Sequence, residues 1–145
     1  HYPVNSAFGF KISYKGRTVV ISGDTINDGS VQKYSKDVDL LVHSAISIDL
    51  TERFRDIAPL PQLDEILFDI QDYHTTIKEA GEIARDANVD QLLIYHAIPT
   101  PRNKIMEEVF FRPLDGVFDE YMLSDDGTRV IMPVGSDEII IDQIN

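Results

Sequence analysis

A chain of 145 residues, 43% apolar and 26% charged, has the length of one ordinary domain and the composition of a globular one. Its 13 Lys+Arg against 25 Asp+Glu leave a formal charge of −12, a balance that repels phosphate backbones at long range and argues against a nucleic-acid-binding surface. The absence of cysteine removes disulfides, thiolate nucleophiles and Cys-type zinc sites, and no apolar run approaches the ~18 residues of a membrane span. The compartment stays open. The chain begins with His1 rather than Met, which reads as the back part of a longer protein or one product of a cleavage.

Taken in order, Ala7–Tyr14 alternates over its second half, Lys15-Gly16-Arg17 is a turn, and Thr18–Ser22 is a β-branched run. Together they predict a hairpin whose second strand is buried on both sides. Val31–Lys36 reads as a short helix, and Val38–Val42 as a buried strand ending at His43. Pro59 and Pro61 interrupt residues 46–72, which read as a long surface excursion with a helical turn or two near Leu63–Ile70. Thr76-Ile77-Lys78-Glu79 fits a capping box. The stripe Ile77, Ala80, Ile83, Ala84, Ala87 then predicts a helix stopping near Asn88.

Gln91–Tyr95 reads as a strand ending at His96, and Lys104–Phe111 as a short amphipathic helix. Asp125-Asp126-Gly127 predicts a hairpin turn joining Tyr121–Leu123 to Arg129–Met132, with Ile139–Ile141 as a last strand. The order of elements is that of a mixed α/β fold.

Three polar residues share one placement. Asp24, His43 and His96 each follow an apolar strand, at the rim where α/β sheets gather their ligand sites. Asp and His are a donor set suited to Zn²⁺ or Mn²⁺. His74 lies just ahead of the Thr76 cap, at a helix start where free N–H groups favour an anion. Ser22 and Thr25 flank Asp24 and are candidates to orient it. Tyr73 is a candidate to face the site, and Arg102 and Lys104 are nearby cations.

These residues carry a resemblance. The run H-Y-P-V-N-S-A-F-G-F-K-I, then V-V-I-S-G-D-T, V-D-L-L-V-H, Y-H-T-T and L-L-I-Y-H, resembles the second half of metallo-β-lactamase-fold hydrolases. It is most similar to the branch of the tRNA 3′-processing endonuclease ribonuclease Z. Gly135–Ile139 resembles the tail of bacterial members. The resemblance implies an α/β fold, the αββα sandwich, with residues 1–145 as its C-terminal half. The N-terminal half, the upstream part of the same protein, would bring the H-x-H-x-D-H ligand cluster that is not in this chain.

Carried over, Asp24 would bridge two metal ions, His96 would complete one and His1 the other. His74 would be the catalytic histidine facing the phosphate, with Asp24 also counted in the catalytic set. His43 would lie near the site without being a ligand. The implied cofactor is two Zn²⁺ ions, with Mn²⁺ or Fe as substitutes.

The chain departs from the branch at Ser44, where a Glu that supports the helix-start His is expected. It also has no long substrate-clamping insertion between His1 and Asp24. With the acidic balance, these departures point to a small ester rather than nucleic acid as substrate. The expected activity is ester hydrolysis, of a phosphodiester first, by a metal-bound hydroxide. A lactonase or arylsulfatase-like hydrolase of the same fold, or a metal-free structural or binding fragment, is the alternative. Homodimers are common in such folds and are among the expected states.

Overall fold

The computed structural model describes residues 7–57 and 61–144. A five-stranded sheet runs in the order β1 (Phe10–Tyr14), β2 (Arg17–Ile21), β3 (Leu40–Ile46), β4 (Gln91–Ile98) and β5 (Tyr121–Leu123). Strand β1 is antiparallel to β2, and β2 to β5 are mutually parallel. The parallel strands therefore present their carboxyl ends along one rim. Strands β6 (Thr128–Ile131) and β7 (Ile140–Gln143) form a separate antiparallel pair.

The β1–β2 hairpin forms as the turn residues require. Lys15 and Gly16 both have positive φ, 48° and 86°, the combination of a two-residue turn matched to strand twist. The expectation that β2 is buried on both sides does not hold: Arg17 and Val20 are buried, while Thr18, Val19 and Ile21 are half-buried. Side chains alternate along a strand. Val20 joins the helix-side core, whereas Val19 and Ile21 pair with Ile12 and Phe10 on the fully exposed β1.

Helix α1 (Ser30–Tyr34) leads from β2 to β3. The stretch after β3, expected to be irregular, forms α2 (Ile48–Ile57), while the helical turns expected near Leu63–Ile70 are there as α3 (Pro61–Asp69), followed by a 3₁₀ turn, Ile70–Asp72. Pro61 opens α3, a position where its fixed φ and missing N–H suit a helix, so it starts one rather than ending one. Leu50, Phe54 and Ile57 carried the period of α2.

Helix α4 (Ile77–Asp86) has the predicted capping box. Thr76 Oγ1 accepts from Glu79 N at 3.2 Å, and Thr76 N donates to Glu79 Oε2 at 2.9 Å. It ends where Asn88 turns left-handed, at φ 55°. Its buried face, Ile77, Ala80, Gly81, Ile83 and Ala84, packs with Val20, Leu41, Leu92 and Ile94 of the sheet and with Phe110, Phe111 and Leu114 around α5 (Lys104–Phe111). Each such large side chain contributes roughly 1.5–3 kcal/mol of burial.

The predicted turn at residues 125–127 does not join two strands of one sheet. Strand β5 pairs with β4, while β6 pairs with β7. Arg17 fixes this second pair to the first sheet by donating to the carbonyls of Ser136 and Glu138. Among the described residues, no helix is long and apolar enough to cross a membrane.

Candidate metal centre

Three of the predicted site residues meet at the rim. Asp24, His74 and His96 each offer a ligand atom, and these atoms lie within 4.8 Å of one another. Asp24 Oδ1 stands 3.0 Å from His96 Nδ1. The rings of His74 and His96 are 5.7 Å apart, and Tyr73 stacks obliquely at 5.1 Å from His74. His1 lies outside the described residues.

Asp24 sits in the loop that leaves β2. Gly23, just before it, has φ +68°, and a Cβ there would come 2.5 Å from the Phe8 carbonyl oxygen. Only glycine lets the chain turn here against the β1 entry.

His96 reaches the site by a different device. It does not follow β4 but lies within it. Ser44 pairs with Tyr95 and Ala45 with Ala97, so His96 is the extra residue of a β-bulge, at φ +46°. Strict alternation after Leu92 and Ile94 would aim His96 into the core under α4. The bulge gives that place to Ala97 and turns the imidazole to the rim, where it is about half exposed. A left-handed non-glycine residue costs about 1–2 kcal/mol, and such strain collects at functional sites.

His74 is buried at the start of α4. Burial depresses its pKa most, the neighbouring Asp24 carboxylate raises it, and His96 lowers it. His43 does not end its strand as expected. It is an interior residue of β3, fully buried, with Nδ1 2.6 Å from the Ser44 carbonyl oxygen. Burial pushes its pKa down to about 4, against a smaller upward pull from the Ser44 carbonyl. It is a core histidine.

The polar flanks of Asp24 act otherwise than predicted. Ser22 Oγ donates to the Gly23 carbonyl at 2.7 Å and Thr25 Oγ1 to the Ile26 carbonyl at 3.0 Å. Support comes instead from Ser44, whose Oγ donates to Gly23 O, and from Thr75, whose Oγ1 donates to Thr25 O. In the sequence Thr75 is marked only by its place after His74, and Ser44 by standing where a supporting Glu is expected. Arg102 and Lys104 are exposed beyond the end of β4.

The donor chemistry fits a divalent ion. One carboxylate is a hard donor and two imidazoles are borderline ones, a set suited to Zn²⁺ or Mn²⁺, and two ligands about 2.0–2.2 Å from one tetrahedral ion stand roughly 3.3 Å apart, close to the 3.0 Å between Asp24 and His96.

Comparison with known proteins shows the fold and what the chain is similar to. Over 99 residues the chain is 34% identical to ribonuclease Z of Mycolicibacterium paratuberculosis, covering 68% of this chain and 32% of that protein. Its backbone superposes on the metallo-β-lactamase fold protein YhfI of Bacillus subtilis with a TM-score of 0.54, at 20% identity, over 79% of this chain and 40% of that one. The chain has the metallo-β-lactamase fold and resembles its ribonuclease Z branch. A long-form RNase Z from yeast shares the fold at a TM-score of 0.51 and 19% identity, over 81% of this chain and 15% of that one. No family model matches the chain.

The chain spans about a third of the length of the curated relatives it matches. The ribonuclease Z resemblance implies a divalent metal, and Asp24, His74 and His96 are its candidate site here. It also corrects one expectation from composition. A small ester substrate, with nucleic acid set aside, conflicts with relatives that are ribonucleases by name. The reason is physical. The charge of −12 is summed over a chain whose match covers only about a third of those relatives, and fields between exposed charges are largely screened beyond about 8 Å at physiological salt. Net charge therefore does not report what one rim of the sheet can bind.

Proposed function

We propose that this chain carries part of a metal-dependent hydrolase that cleaves an RNA phosphodiester, with tRNA as the substrate that the ribonuclease Z resemblance implies. The observation that carries the reading is the convergence of Asp24, His74 and His96 within 4.8 Å at the rim of a sheet with this fold.

Asp24 and His96 hold a zinc ion in this reading, and His1 contributes to a second. The further ligands, an H-x-H-x-D-H cluster among them, come from outside this chain, which is the C-terminal half of the domain. When bound, the ions supply a Lewis acid for phosphoryl oxygens and a water of lowered pKa. The chain's own groups do the positioning. Asp24 brings its carboxylate within 4.8 Å of both histidines. His96 is turned to solvent by the bulge and leaves room for a substrate at the rim. His74, held at the start of α4, presents its ring toward the phosphate and serves to hand over or take up a proton there.

The test is cleavage of an RNA carrying a 3′ extension by the protein with Zn²⁺ or Mn²⁺. DNA of the same sequence, an aryl sulfate and a lactone serve as comparisons. The expected result is RNA cleavage that D24A and H96A abolish. Cleavage undiminished in D24A, or turnover of the sulfate or lactone without RNA cleavage, overturns the reading.

A further inference from the structure

We propose that Ser44 and Thr75 are positioning residues for Asp24, their hydroxyls latching the backbone carbonyls on either side of it; this rests on the metal-centre reading above. The loop 22–25 leaves β2 with its donors and acceptors held from two directions. On one flank, the Gly23 carbonyl accepts from Ser44 Oγ at 3.1 Å and from Ser22 Oγ at 2.7 Å. On the other, the Thr25 carbonyl accepts from both Thr75 N at 2.8 Å and Thr75 Oγ1 at 2.7 Å. The Gly23 carbonyl belongs to the same peptide plane as the Asp24 nitrogen. Fixing it sets the direction in which Asp24 departs.

The latches are buried while the group they aim is not. Ser44 and Thr75 are both 0% exposed, whereas the Asp24 side chain is 39% exposed. Hydrogen bonds sheltered from water hold geometry more firmly than exposed ones.

Each latch also ties Asp24 to another member of the trio. Thr75 follows His74 directly, and its carbonyl accepts from Ile46 N at 2.9 Å at the end of β3. Ser44 pairs with Tyr95, the last residue before the bulge that redirects His96. The two hydroxyls therefore couple the Asp24 loop to the segments that present both histidines. An ionised carboxylate at position 44 could accept but not donate, so the Gly23 latch needs a hydroxyl there.

The experiment titrates the full chain with Co²⁺, a visible stand-in for zinc, and follows the d–d absorption. Urea unfolding of each metal-free variant is measured beside it. S44A and T75V are expected to bind Co²⁺ about 10–100-fold more weakly, as loss of outer supports to ligands does. Their Co²⁺ spectra change as well. S44T and T75S keep the hydroxyl and bind within about threefold of the unsubstituted chain. If T75V does not fold, S44A with S44T and T75S carry the test. Co²⁺ affinity and spectrum unchanged in S44A and T75V, with only the metal-free unfolding moved, overturn the positioning role alone. D24A separates the two readings: no Co²⁺ uptake by the unsubstituted chain, or D24A binding equally well, overturns the metal centre and this inference together.

Discussion

Ala97, not His96, occupies the place in the core that continues the row Leu92, Ile94. The exchange is made by the bulge opposite Ser44 and Ala45, and it releases His96 to stand 3.0 Å from Asp24. A strained residue at φ +46° is retained where a relaxed strand would have buried the imidazole.

The strain can be measured. Replacing His96 by glycine relieves the left-handed backbone, whereas alanine retains it. In metal-free protein, H96G is expected to be more stable than H96A by about 1 kcal/mol, read as urea midpoints at constant slope. Equal midpoints would show that the bulge carries no strain.

Gly81 tests packing against propensity. Gly→Ala inside a helix ordinarily gains about 1 kcal/mol. Here a Cβ would come 2.3 Å from Leu114 Cδ2, in a side chain that is itself fully buried. Overpacking costs about 1–3 kcal/mol, so it outweighs the helix gain. G81A is expected to unfold at a lower temperature than the unsubstituted protein, and a higher one would mean that Leu114 moves aside freely.

His43 makes stability depend on acid. Its folded pKa of about 4 lies below the ordinary 6.5, so the unfolded chain takes up the proton first. The histidine's contribution is complete above pH 6.5 and is lost as pH falls toward 4. By pH 4.5 the loss is roughly 2–3 kcal/mol. In H43L that part of the decline is expected to vanish, as followed by urea unfolding at pH 7.5 and 4.5.

Arg17 joins the two sheets. Its Nε lies 3.0 Å from Asp39 Oδ1, both side chains are largely buried, and its other nitrogens reach carbonyls of the segment before β7. R17M leaves Asp39 without that partner, at a cost of about 3–5 kcal/mol. Amide exchange in β6 and β7 is expected to rise more than in β3 and β4. A uniform rise would show that the pair does not depend on this anchor.

What the sequence disclosed follows from the range of the forces involved. The capping box at Thr76 and Glu79 and the helix over Lys104–Phe111 are set within a few residues, and both stand as read. So does the placement of Asp24 after a β-branched run. The bulge at His96 depends on which residues of β3 lie opposite β4, a relation between segments about a third of the chain apart. Nothing local in Q-L-L-I-Y-H-A-I marks it. The same holds for β5 and β6, which share a turn-like connection yet choose partners in different sheets. Helix α2 is legible in the spacing of Leu50, Phe54 and Ile57, but Pro59 and Pro61 just after it are signals of irregular chain that hide it.

Strand β1 carries a practical consequence. All five of its residues are exposed, with Phe10, Ile12 and Tyr14 on one side and, among the described residues, only β2 as a neighbour. Its outer hydrogen-bonding edge is a template onto which another copy can crystallise or clump, strand by strand. Preparations of this chain by itself are set to lose material as they are concentrated, and a lysine at position 12 is the simplest way to keep them in solution.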